Sequence, residues 1–126
     1  MSARQRPLSP HLQVYKPQLT SLTSIAHRIS GLVLSAGAIF LSWGLVALAS
    51  SRETYEEFRG FASAMPGRIL TAVIVLSYAY HFLNGIRHLA WDAGWGLDLQ
   101  RAYATGYLVL ALSPALAVLT LWLLWT

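Results

Sequence analysis

The sequence predicts an all-α membrane protein with three transmembrane helices, and three observations carry that reading. Of 126 residues, 56% are hydrophobic and 11% charged, too apolar for a soluble domain with one ordinary core. Apolar stretches recur at Ile29 to Ala49, Leu70 to about Ala90, and Tyr107 to Leu124, each near the roughly 20 residues a bilayer demands. The basic residues alternate with the spans. Arg4, Arg6, Lys16 and Arg28 precede or open the first span, and Arg87 and Arg101 flank the turn between the second and third. The intervening loop balances Arg52, Arg59 and Arg68 with Glu53, Glu56 and Glu57, and the end of the chain has no basic residue. The positive-inside rule then predicts a cytoplasmic N-terminus and a periplasmic C-terminus. The chain reads as a single transmembrane domain, with an arm at residues 1–20 and spans at about 22–49, 67–92 and 103–125.

The arm is punctuated by Pro7, Pro10 and Pro17, which prevent a continuous helix and suit a course along the cytoplasmic membrane surface. Thr20, Ser21 or Thr23 is expected to cap the first span. That span shows small residues at Gly31, Ser35, Ala38 and Ser42, a face suited to close helix packing. In the loop after it, Tyr55, Phe58 and Ala62 fall at helical spacing against a charged face, which predicts a short interfacial helix. The second span carries a polar stripe: Ser77, His81, Asn84, Gly85, His88 and Asp92 follow the helical period for several turns. The third span has no charge, with Tyr103 and Tyr107 at one interface, Trp122 and Trp125 at the other, and Pro114 positioned to kink it.

Composition excludes several chemistries. With no cysteine the chain cannot hold an iron–sulfur cluster, a thiolate metal site or a haem attached through C-x-x-C-H. A net charge of +4 follows membrane topology rather than forming a basic patch interleaved with exposed aromatics, so no nucleic-acid partner is expected. No G-x-G-x-x-G, P-loop or intramembrane carboxylate pair is present, so the chain alone has no catalytic residues for dehydrogenase chemistry. The first residues lack the apolar core of a signal peptide, and the expected location is a bacterial inner membrane as a multi-pass protein, or the mitochondrial inner membrane if organellar.

The polar stripe carries the chemistry, because ionisable groups inside lipid mark function by default. At 1.5 Å per residue His88 lies roughly 6 Å inside the end of the second span and His81 roughly 16 Å, near mid-membrane. A haem ligand must be a neutral imidazole, which the mid-membrane position favours, so His81 is the candidate axial ligand to haem iron. Gly85, one turn on, removes a side chain where a porphyrin would pass. The same pair also suits a histidine hydrogen-bonded to a neighbouring helix with Gly85 as a packing notch. Ser24, His27 and Arg28 open the first span at the depth of His88. Arg28 suits a haem propionate or a quinone carbonyl, or a snorkelling anchor; Arg87 reads as that anchor. A rival scheme clamps a metal between His27 and His88, but it leaves His81 unexplained. With His81 as ligand, no histidine of this chain matches its depth, and the second axial ligand comes from another subunit.

Three ordered runs then resemble a known family: Arg6-Pro-Leu-Ser-Pro-His-Leu-Gln-Val-Tyr-Lys16, Ser24-Ile-Ala-His-Arg-Ile-Ser-Gly31, and His81-Phe-Leu-Asn-Gly-Ile-Arg-His88 followed by Asp92. Together they resemble the cytochrome b membrane anchor of succinate dehydrogenase, respiratory complex II, in its alphaproteobacterial and mitochondrial branch. The resemblance implies that His81 ligates a haem b shared with a second membrane-anchor subunit. It implies that His27, Arg28 and His88 lie by the haem propionates, and that Ser24 and Arg28 line the ubiquinone site. It implies a non-catalytic subunit that passes electrons to quinone from an iron–sulfur subunit, itself fed by a flavoprotein subunit. Other readings are an anchor of a quinol:fumarate reductase, a haem-free structural anchor, or a transporter subunit using His81 as a proton-linked site.

Overall fold

The computed structural model describes residues 16–126, and the expectations for the proline-punctuated arm before Lys16 lie outside them. Four helices follow in order: α1 (Leu19–Ser50), α2 (Arg52–Ser63), α3 (Met65–Asp92) and α4 (Leu99–Trp125). The fold is all-α, and α1, α3 and α4 are each long and apolar enough to cross a membrane. α1 and α3 each touch all the other helices, α3 packing most extensively, while α2 touches only α1 and α3.

Each boundary has a local cause. α1 starts earlier than its hydroxyls suggest: Gln18 occupies the N-cap position without a side-chain hydrogen bond, and Thr23 is buried inside the helix. Ser51 caps α2 in a reciprocal capping box with Thr54, so the chain turns between helices within one extended residue. α3 takes Pro66 in its first turn, where a missing N–H costs nothing. It ends in a Schellman motif: Gly94 N–H donates to Trp91 O (2.8 Å) and Trp95 N–H to Ala90 O (2.8 Å). Gly94 supplies the positive φ (81°) this motif needs. Asp98 then caps α4 by accepting from Arg101 N–H at 2.9 Å, and α4 continues through Pro114.

The bundle is built inside out relative to a soluble domain. Long apolar side chains such as Leu32, Ile39, Leu45, Val118 and Leu123 are exposed, whereas the buried positions are small or polar. In lipid no hydrophobic gain separates a buried leucine from an exposed one, so small residues at contacts let helices approach closely. On α1 the packed stripe is Thr23, Ser30, Gly37, Gly44 and Ala47. The expected face is a different one: Ser35, Ala38 and Ser42 point away from the other helices of this chain, while Gly31 is half-buried against His81. Two small-residue stripes run along the same helix, and the one at seven-residue spacing holds a straight seam against its neighbour. A Cβ at Gly37 would stand 3.1 Å from Ile74, and one at Gly44 2.7 Å from the Phe58 ring.

α2 presents Tyr55, Phe58 and Ala62 as its half-buried face, as their spacing predicts. Phe58 and Phe61 pack on Trp43 (centroids 5.0 and 5.3 Å) and on Phe40 (5.3 and 6.2 Å), closing one end of the bundle with rings. At the same end the Arg68 guanidinium lies 5.9 Å from the Trp125 ring.

Candidate functional site

The polar residues gather at the opposite end, where α1 begins and α3 finishes. There His27, His81 and His88 form a chain of imidazoles in contact. His27 stacks on His81 with centroids 3.9 Å apart and planes 13° from parallel. His27 also meets His88 at 5.1 Å and 44°, and His88 meets Trp91 edge-on at 5.2 Å. Depth along the sequence groups His27 with His88; the structure sets it between the two and closest to His81. Because α1 begins at Leu19, His27 stands about two turns into that helix, at a backbone level between those of His88 and His81 on the antiparallel α3.

His81 Nδ1 lies 3.0 Å from Ser30 Oγ and 3.1 Å from the His27 carbonyl oxygen, both on α1. Its Nε2 makes no hydrogen bond among the described residues. Close approach is permitted from the opposite helix: a Cβ at Gly31 would be 3.2 Å from His81 Cε1. Gly85, one turn on from His81, has little around it: a Cβ there would meet only His27 Cε1, at 3.9 Å.

His27 and His88 stand ring to ring, without the gap that a metal-centred macrocycle held between them would need. Among the described residues no group of three or more His, Asp or Glu side chains is arranged to hold a metal ion. Ser24 is half-buried and Arg28, one turn further along α1, is exposed and free of ion pairs among the described residues. His27 Nδ1 is buried without a hydrogen-bond partner among the described residues. Asp92, the last residue of α3, is exposed.

Arg87 departs most from expectation. Read as a snorkelling anchor, it is in fact 5% exposed and interior. Its Nε donates to Thr105 Oγ1 (3.0 Å) and its Nη2 to the Ala102 carbonyl (2.7 Å) on α4. Its Nη1 donates to Thr23 Oγ1 on α1 (3.2 Å) and to Asn84 Oδ1 (3.3 Å), and its Cζ lies over the Trp91 ring, 4.0 Å from the centroid. Four bonds from one planar fork reach acceptors on three helices at once, which a point-charge lysine could not do. Tyr80 adds a bond from its hydroxyl to the Thr23 carbonyl at 2.7 Å. Thr23 is thus gripped by side chain and backbone, which fixes α1 next to Ser24. Its seven-residue spacing from Ser30, Gly37 and Gly44 is the sequence signal that marks it.

Residues 2–124 match the model of the succinate dehydrogenase/fumarate reductase transmembrane subunit family. The chain belongs to that family. It is 41% identical over 116 residues to the succinate dehydrogenase cytochrome b556 subunit of Paracoccus denitrificans, covering 92% of this chain and 89% of that one. The cytochrome b556 subunit of Rickettsia prowazekii is 39% identical over 118 residues, with 94% and 91% covered. The mitochondrial cytochrome b560 subunit of Homo sapiens is 40% identical over 110 residues, spanning 86% of this chain and 65% of the relative. The protein is therefore a membrane-anchor cytochrome b subunit of the succinate dehydrogenase/quinol:fumarate reductase family, a non-catalytic part of an oxidoreductase complex.

Proposed function

We propose that this subunit holds half of a haem b site through His81 Nε2 and helps form a ubiquinone-reduction site with Ser24 and Arg28. The second axial ligand comes from another membrane-anchor subunit. The observation that carries this is the stacked pair: His27 and His81 are face to face at 3.9 Å, so their lone pairs lie in parallel planes and cannot point at one iron from opposite sides. An internal bis-histidine site is thereby disfavoured, and His81 keeps Nε2 for a ligand shared across a subunit boundary. The residues fit such a group. Nδ1 of His81 is engaged while Nε2 is not, and the buried, unpartnered His27 Nδ1 and the uncommitted Arg28 suit propionate oxygens. When bound, a b-type haem supplies a reversible one-electron iron couple.

His27, Arg28 and His88 then line the propionate side, at the end of the bundle that the arginines assign to the cytoplasm. Arg28 donates to a quinone carbonyl and stabilises the negative charge that grows on that oxygen during reduction; Ser24, one turn away, donates through its hydroxyl. Electrons arrive from an iron–sulfur subunit, which a flavoprotein subunit supplies after oxidising succinate. Purified complex should show a reduced-minus-oxidised b band, and His81→Tyr should abolish it while the complex still assembles. An unchanged band in that variant would refute the ligand assignment. No band in the unmutated complex would leave a haem-free anchor.

A further inference from the structure

We infer that Ser30 is a positioning residue for the His81 ligand, acting with the His27 carbonyl to hold Nδ1 and tuning how strongly Nε2 donates to iron. The inference rests on the haem reading above and assigns a role to a residue outside that ligand set. Ser30 is 6% exposed on the packed stripe of α1. Its hydroxyl donates to the His27 carbonyl at 2.8 Å, which uses its single proton. With its proton so placed, it accepts from His81 Nδ1, 3.0 Å away.

The His27 carbonyl oxygen, 3.1 Å from the same nitrogen, is only an acceptor. With the Ser30 proton on the His27 carbonyl, both contacts are satisfied when Nδ1 carries the ring proton. The opposite tautomer would draw the Ser30 proton from the carbonyl to Nδ1 and set a nitrogen lone pair against that carbonyl oxygen. Nε2 is then the lone-pair nitrogen, whatever occupies the space beyond it. The stack with His27 fixes the plane of the ring, and the two Nδ1 contacts fix its rotation in that plane. Gly31 completes the device, because a larger residue would push His81 away from both acceptors.

A hydrogen bond from the distal N–H of a ligating histidine raises the basicity of the ligating nitrogen, which favours the oxidised metal. Ser30→Ala and the nearly isosteric Ser30→Cys should therefore raise the haem midpoint, so that at the native midpoint reduced haem exceeds oxidised by about threefold. For a one-electron couple that ratio corresponds to roughly 30 mV, at 59 mV per tenfold. Ser30→Thr, which keeps the hydroxyl, should restore the native value.

The experiment is an equilibrium redox titration of the b band in whole detergent-solubilised complex, with the low-spin ferric EPR signal recorded on the same samples. A raised midpoint with altered EPR g-values in the alanine and cysteine variants, reversed in the threonine variant, supports the role. Native midpoint and g-values in an assembled alanine or cysteine variant overturn it; where alanine prevents assembly, the space-filling cysteine variant decides. An unmutated complex with no b band would instead refute the haem reading, a result separable from failure of the Ser30 assignment alone.

Discussion

The two ends of this bundle are held together by different physics. Where α2 closes the helices, glycines and rings meet: Gly37 on Ile74, Gly44 on Phe58, and Phe58 and Phe61 on Trp43. Where α1 begins, hydrogen bonds join the helices beside the imidazole stack: Arg87, Asn84, Tyr80 and His81 on α3 with Thr23 and Ser30 on α1, and Arg87 with Ala102 and Thr105 on α4. Apolar packing tolerates small slips, because its energy is spread over many weak contacts. Buried polar bonds do not, since a donor or acceptor left unpaired costs about 1–3 kcal/mol. The end at which we propose a bound haem is the end built from directional bonds.

Arg87→Leu should show the largest difference between the ends. It removes four hydrogen bonds and leaves Asn84, fully buried and already lacking a partner for Nδ2, with no partner among the described residues for Oδ1 either. At about 1–3 kcal/mol per orphaned group, most of the subunit should be lost from solubilised complex, measurable by thermal unfolding and by recovery of assembled complex. Recovery equal to the native protein would mean that this end does not depend on its polar bonds.

Gly67→Ala probes the other end and should cost less. The added Cβ would meet Phe61 O and come within 2.6 Å of Ala62 Cα, backbone atoms that cannot swing aside. Displacing α2 should lower stability by about 1–3 kcal/mol while leaving the b band unchanged. A shifted band would show that the two ends are coupled. Arg28→Leu should change stability least, within about 0.5 kcal/mol, because the side chain is exposed and unpaired among the described residues. It should nonetheless cut quinone reduction by about tenfold or more while succinate oxidation by a soluble dye persists. Equal loss of both activities would point to failed assembly.

Much of this is legible along the chain. The three spans follow from hydropathy, and α2 from the spacing of Tyr55, Phe58 and Ala62. The polar stripe of α3 is visible as a helical period, and His81 stands out by depth. Arg87 misleads because its neighbours in sequence suit a membrane-surface anchor, whereas its acceptors Thr23, Ala102 and Thr105 lie on two other helices. Ser30 carries no signal by itself: a serine inside a helix commonly bonds back to its own backbone, as this one also does.

What the sequence by itself determined is therefore local: that three segments are long and apolar enough to cross a membrane, that α2 is amphipathic, and that α3 carries a polar stripe. Tertiary structure alone decided which of two small-residue stripes on α1 packs inward. It also decided that Arg87 is interior and that His27 stacks on His81 while Ser30, 51 residues away, holds its Nδ1. The physical reason is rotation. Hydropathy and capping depend on residues a few positions apart, but the face a helix turns toward its neighbour is set jointly by all the contacts between distant segments. A turn of one residue, about 100° on a helical wheel of 3.6, exchanges an anchor for a core residue.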